Sequence, residues 1–433
     1  MCNKCFTIGR GDSLAPTARH VLRRWGVNTA GIVRIASIRY ARAGRFEPPQ
    51  MSTDTVASSS QICPQLPQRL GAVMGTSKAE LPQGEDCLNL SITTPGCDDA
   101  ARPVMVFFHG GAFSSGAGLS DWYDGSVLSA DADVVVVSVN YRLGVFGFLC
   151  LDGVSDANLG LLDQVEALRW VQTNIRGYGG DPNRVTVFGQ SAGALSIRLL
   201  MEIPAARGLF TRAILQSGPA PRPTRARQDA QKIGEIFIEK LGVDPRAAPV
   251  AAMLDAAART ATELASAGGV ALPPFYPVSG AEPLHTLGAS LADNVTGLDV
   301  LCGWNLDDTS AFTATAPGPE TLELTEQLLA QPVRAFAAEL DDAGARVHIY
   351  RFDWRPEGSA FGATHGVELP LLLGTRQAWQ PAPMLGTTTW TDIERLGAQL
   401  RRVWGYFART GHIDTESPTA LPMIWGPGRA APR

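Results

Sequence analysis

The sequence predicts an α/β chain built on a central, mostly parallel sheet flanked by helices, and three observations carry that expectation. Apolar runs of strand length recur at residues 103–108 and 134–140, as strands covered on both faces require. Segments with apolar residues at helical spacing follow, so strand, helix, strand and helix alternate, which implies crossover connections. A serine inside Gly189-Gln190-Ser191-Ala192-Gly193 follows one such strand and precedes residues that can start a helix, the context of a nucleophile elbow.

Composition bounds the rest. The 433 residues, 45% of them apolar, can fill one large core, and residues 27–433 are expected to form one domain. Residues 1–26 carry charges throughout and lack the apolar stretch of an export signal, so they read as a disordered extension. A net charge of −5 offers no basic field for nucleic acid or an anionic membrane, which leaves a small neutral ligand as the expected partner. The longest apolar runs are far shorter than a membrane span. Seven scattered cysteines argue against a disulfide framework and favour a reducing compartment, so a cytoplasmic location is expected. Cys2 and Cys5 form a CxxC with no second pair at metal-ligand spacing; no metal and no cofactor is expected.

Taken in order, residues 27–50 contain β-branched residues and then Pro48-Pro49, which suggests an edge strand or hairpin followed by an extended connector. Residues 87–95 alternate through Cys87, Asn89 and Ser91 as a strand does. The run 103–108 ends in His109-Gly110-Gly111-Ala112-Phe113, where small residues let the main chain approach a ligand and turn its N–H groups on an oxyanion. Leu161, Val165, Leu168, Val171 and Ile175 predict a helix over 158–175 that stops before Gly177. The elbow strand follows Asp181-Pro182, and residues 213–216 continue the sheet. Residues 219–296, rich in Ala, Pro and Arg, read as a helical insertion over the sheet, with helices near 229–241 and 250–264. A strand at 298–302 then delivers Asn305-Leu306-Asp307-Asp308, a helix is expected over 323–340, a strand over 346–352, and a loop at 362–366 carries His365. A last helix is expected over 391–410, ending at Gly411.

A serine hydroxyl needs a histidine to take its proton and a carboxylate to fix that histidine's tautomer. Ser191, Asp308 and His365 supply the three groups in the chain order that one sheet edge accommodates, each after a strand. Asp307 is the rival carboxylate, read as a turn or salt-bridge residue; His109 and His348 are read as structural.

On these residues the chain resembles the type B carboxylesterases, the α/β-hydrolase family that includes the cholinesterases. The resemblance runs through GEDCLNL, FFHGGAF, VNYRLGVFGFL, the long block 158–194, AILQSG, THGVELPLLLG and WGYFARTG. It implies an α/β-hydrolase fold with helical insertions over the active site, Ser191 as nucleophile, His365 as base, and an oxyanion hole from the N–H groups of Gly111, Ala112 and Ala192. It implies hydrolysis of carboxylic esters of small molecules through an acyl-enzyme, that is, a carboxylic ester hydrolase. Family members usually place glutamate where register puts Asp308, but hydrolases of this fold use either acid. Cys63 and Cys87 match two positions bridged in secreted relatives, and in a cytosolic protein they are expected to stay reduced. Amide or carbamate cleavage needs the same triad and stays open, as does a non-catalytic binding role on the same fold.

Overall fold

The computed structural model describes residues 25–27, 31–53, 60–76, 81–218, 223–266, 272–313, 316–413 and 421–427. The expected extension lies outside them as far as residue 24, with Cys2 and Cys5, while Trp25 and Gly26 belong to the first strand of the main sheet.

Among the described residues, that sheet contains β1 (Trp25–Val27), β2 (Val33–Arg39), β3 (Asn89–Thr94), β4 (Arg102–Phe108), β5 (Val135–Val139), β6 (Gly180–Gln190), β7 (Arg212–Gln216), β8 (Asp299–Asn305), β9 (Arg346–Phe352) and β10 (Met423–Pro427). Their spatial order is β1-β2-β3-β5-β4-β6-β7-β8-β9-β10. From β5 to β9 neighbours run parallel, and antiparallel pairs close both ends, so the sheet is mixed but mostly parallel as expected. The chain order reverses at β4, which lies between β5 and β6; ligands of open α/β sheets bind at the carboxyl ends of the strands beside such a reversal.

The continuous apolar runs follow from cover on both faces. Val104, Val106 and Phe108 of β4 join one buried cluster with helices α2 (Leu159–Asn174) and α3 (Ala192–Leu200). Met105 and Phe107 point the other way, toward a second cluster with α1 (Ser126–Ala132) and the last long helix, Trp390–Thr410. In β3 the polar residues of the alternating pattern are buried too, so neither face of this strand is left in water.

The insertion holds α4 (Arg227–Leu241) and α5 (Val250–Ser266), each about two residues longer than the spacing predicts, and a short strand pair at Arg225–Ala226 and Val278–Ser279 that it does not. Asn158, left-handed at the start of α2, exchanges two 2.8 Å hydrogen bonds with the Val278 backbone, which ties the insertion to that helix. Residues 319–342 are helical through a π turn and end in α6 (Gln331–Asp342). The last long helix, α7 (Trp390–Thr410), is capped by Thr389, whose hydroxyl accepts the Asp392 N–H, and stops at left-handed Gly411. β10 is the main-sheet strand the pattern misses: its apolar run, Met423-Ile424-Trp425, is cut short by glycine and proline, and proline is tolerated because this is an edge.

Cys63 and Cys87 are buried free thiols. The Leu143 N–H donates to the Cys63 sulfur at 3.2 Å, and a hydrogen bond with Cys63 together with burial holds the Cys87 thiol well above its usual range. Beside them the Arg142 guanidinium, after β5, donates two hydrogen bonds to the Asp163 carboxylate of α2, at 2.8 and 2.7 Å, and a third to the Glu47 carbonyl. Removing one partner from so buried a pair leaves a charge without compensation. Asp163→Ala should lower the unfolding free energy by about 3–5 kcal/mol, read from the urea midpoint; an unchanged midpoint would show that Arg142 is solvated after all.

Candidate active site

Ser191 sits between β6 and α3 with φ 59° and ψ −122°, a conformation that a side-chain-bearing residue holds only when its surroundings enforce it. Its N–H donates to the Gln216 carbonyl of β7 and its carbonyl accepts from Leu195, both at 2.9 Å. A Cβ on Gly189 would lie 2.7 Å from the Gly193 carbonyl carbon and 2.8 Å from the Phe108 carbonyl oxygen, and one on Gly193 would overlap that same oxygen. Glycine at both positions is therefore a steric requirement of the turn.

The loop after β4 meets the elbow. A Cβ on Gly110 would stand 3.1 Å from the Ser191 Cβ, which measures how closely the two main chains approach. Gly111, Ala112 and Phe113 all have positive φ, at 109°, 54° and 57°. So unusual a run of backbone conformations is held in place by the surrounding structure and fixes how this loop presents its main chain. Among the described residues, no acceptor takes the N–H of Gly111 or Ala112. The Ala192 N–H, first of α3, has no partner within its helix. Phe113 packs edge-on against Tyr276 of the insertion, with ring centroids 5.4 Å apart, so the insertion supports this loop.

His109 belongs to the loop's support. Its Nδ1 donates to the Gly110 carbonyl at 2.7 Å and its ring stacks on Tyr141, whose hydroxyl donates to the His109 carbonyl at 2.7 Å. Burial pushes its pKa down to about 4, so the ring is neutral near pH 7. His348 packs edge-on against Phe407.

Asp308 follows β8 and opens a short 3-10 turn. One oxygen accepts the Asn305 N–H at 2.9 Å; the other accepts Nδ1 of His365 at 2.5 Å. With Nδ1 donating, Nε2 is the unprotonated nitrogen of the neutral ring, and it is buried without a partner. The Phe312 ring lies tilted by 57° against the imidazole, 4.9 Å between centroids, while remaining 58% exposed, which places an apolar ring at the solvent side of the site. Asp307 points elsewhere: it takes two hydrogen bonds from the Arg355 guanidinium, at 2.7 and 2.8 Å, and the Ala363 N–H at 2.9 Å, so it is the salt-bridge residue that the sequence suggests.

Three more polar residues enter the site without a signal of their own. Glu368, buried three residues after His365, accepts from Asn305 Nδ2 at 2.6 Å and from Gln216 Nε2 at 3.2 Å. Asn305 gives its other amide hydrogen to the Thr364 carbonyl at 2.8 Å. Gln216 and Glu368 lie in segments that carry the family resemblance and Asn305 opens the run that ends in Asp308, but only the folded chain brings the ends of β7 and β8 to the histidine loop. Among the described residues no group of three or more His, Cys, Asp or Glu side chains is placed to hold a metal, and no helix is long and apolar enough to cross a membrane.

Comparison with known proteins gives the family of the chain. Residues 28–323 match the model of the carboxylesterase family. A probable N-octanoylanthranilate hydrolase of Rhodococcus erythropolis is 41% identical over 91% of this chain and 92% of its own length. The para-nitrobenzyl esterase of Bacillus subtilis is 33% identical over 90% of this chain and 89% of its own. A solved thermophilic para-nitrobenzyl esterase superposes with a TM-score of 0.79 at 31% identity, covering 93% of this chain and 91% of that one.

The Asp307 contacts generate a stability prediction. Asp307→Asn loses the charge that holds Arg355 and weakens the bond to Ala363, so the variant should be less stable by about 1–3 kcal/mol in urea unfolding. An unchanged midpoint would mean that the loop is held by its other contacts.

Proposed function

The chain belongs to the carboxylesterase family and is a hydrolase of the esterase kind, and we propose that it cleaves carboxylic esters of small molecules through an acyl-enzyme formed on Ser191. The observation that carries the reading is the His365–Asp308 hydrogen bond, which leaves Nε2 free to accept a proton. Nε2 takes the proton of the Ser191 hydroxyl as its oxygen attacks the acyl carbonyl carbon. The negative oxygen that results is met by the N–H groups of Gly111, Ala112 and Ala192, which need no reorganisation to receive it. The imidazolium, held by Asp308, returns the proton to the departing alcohol, and water then cleaves the acyl-enzyme by the same route in reverse roles. Phe312 beside the imidazole suits a neutral substrate with an apolar group.

One observation favours a second reading, amide cleavage by the same groups: the relative that is 41% identical is named for an N-acyl substrate, N-octanoylanthranilate. Rates on p-nitrophenyl esters of graded chain length, set beside matched anilides and carbamates, decide between the readings. Turnover of none of them would favour a binding role.

Three variants test the residues. Ser191→Ala should lose turnover and organophosphate labelling, by about 10⁶ in kcat, with the fold kept; labelling at another residue would move the nucleophile. Asp308→Asn should cost about 10⁴ in kcat, whereas turnover per folded molecule of Asp307→Asn should stay within about tenfold of the wild type. The reverse result would make Asp307 the acid. Gly111→Val should lower kcat at least about a hundredfold, because a side chain there would stand against the Ser115 backbone and displace a donor. A folded variant with unchanged kcat would remove Gly111 from the oxyanion hole.

A further inference from the structure

We propose that Glu368 is a positioning residue of the histidine loop that exchanges a proton with solvent, and that its charge, carried through the buried Gln216–Glu368–Asn305 network, sets the basicity of His365. The proposal rests on the reading of Ser191 and His365 as nucleophile and base, and concerns how that pair responds to pH.

Glu368 is only 2% exposed, and among the described residues no lysine or arginine forms an ion pair with it. The groups that face it are Asp308 after β8, His365 on its own loop, Tyr350 of β9 and the two amides, Gln216 of β7 and Asn305 of β8. A second carboxylate in one buried site with Asp308 is costly unless the imidazole beside it is charged or one of the two acids is neutral. Burial raises the Glu368 carboxyl to about 7, with the Asn305 hydrogen bond opposing that rise and the Asp308 charge adding to it.

The network has hydrogen-bonded arrangements for both states. When ionised, Glu368 accepts from both amides. When protonated it must donate, and the Gln216 Oε1 is a buried acceptor with no partner. A half-turn of the Gln216 amide brings that oxygen to the new O–H, with the proton taken from solvent and no other bond broken than Gln216 Nε2 to Glu368. Asn305 keeps its place, because its second hydrogen is committed to the Thr364 carbonyl. The ionised state strengthens His365 as a base and stabilises its imidazolium; the neutral state weakens both effects.

The test is the pH dependence of Ser191 labelling by diisopropyl fluorophosphate, with that of kcat/KM on one activated ester. In Glu368→Gln the rising limb of both profiles should move to lower pH by about one unit, because the imidazolium loses a neighbouring negative charge. Glu368→Asp keeps the charge and should stay near the wild-type limb even if kcat falls. Limbs that do not move, or that move equally in the two variants, overturn the proposal, since lost packing would act on both. A second measurement does not depend on activity. The folded carboxyl titrates near 7 and an ordinary one at 4.5, so the wild type binds the extra proton when folded and loses stability, relative to Glu368→Gln, as pH rises between those values. The Tm difference between the two proteins should therefore change between pH 4.5 and 8, and a constant difference overturns the proposal. Should Glu368→Gln not fold, infrared titration of the wild type decides: the stretch of a protonated buried carboxyl should vanish as pH rises through about 7, and its absence is fatal. A wild type that no organophosphate labels at Ser191 defeats the hydrolase reading instead, and the stability profile still decides the fate of Glu368.

Discussion

The elbow exists because nothing but hydrogen stands between Gly193 and the carbonyl end of β4. With any side chain there, α3 could not start where it does, and Ser191 would lose the conformation that lifts it from the sheet. That contact also sets the distance between β6 and the loop after β4. Because Gly110 lies against Ser191, the loop in which Gly111 and Ala112 hold positive φ runs beside the start of α3. The strain is stored by well-buried neighbours: β4 and β6 pair over five consecutive registered residues, and both faces of each are covered.

On the other side of the serine the constraint is electrostatic. β7 and β8 end in amides, Gln216 and Asn305, which face two buried carboxyls and one imidazole. Amides can hold carboxylates without adding net charge, so the imidazole remains the one cation that the proposed reaction can create there. That arrangement makes proton position matter: the stability of the site and the basicity of the histidine respond to the same titration.

The central strands, the helix 159–174, the elbow and the histidine loop were legible because each follows a local rule, whether two-sided apolar cover, helical spacing or glycine placement around a turn. The network around Glu368 was not. Its members come from the ends of β7 and β8 and from a loop, and a lone buried glutamate carries no periodic signature; only its depth and its two amide partners in the folded chain reveal it. β10 escaped for a related reason, since an edge strand needs one partner and little apolar surface. The N-terminal boundary also lay two residues too late: Trp25 and Gly26 pair with β2 through their backbone, which composition does not report.

The aspartate at position 308 shows how the site accommodates an acid one methylene shorter than the glutamate that the family resemblance leads one to expect. A shorter side chain reaches the imidazole when the histidine loop is held close to β8. Asp307 supplies that approach, binding Ala363 through both its backbone and its carboxylate, and Asn305 adds a second tie at Thr364. Asp308 is itself fixed by the Asn305 N–H, so the carboxylate is aimed by backbone rather than by a long side chain. The two adjacent aspartates thus divide the work that geometry demands: one draws the loop in, and its neighbour meets the ring at 2.5 Å.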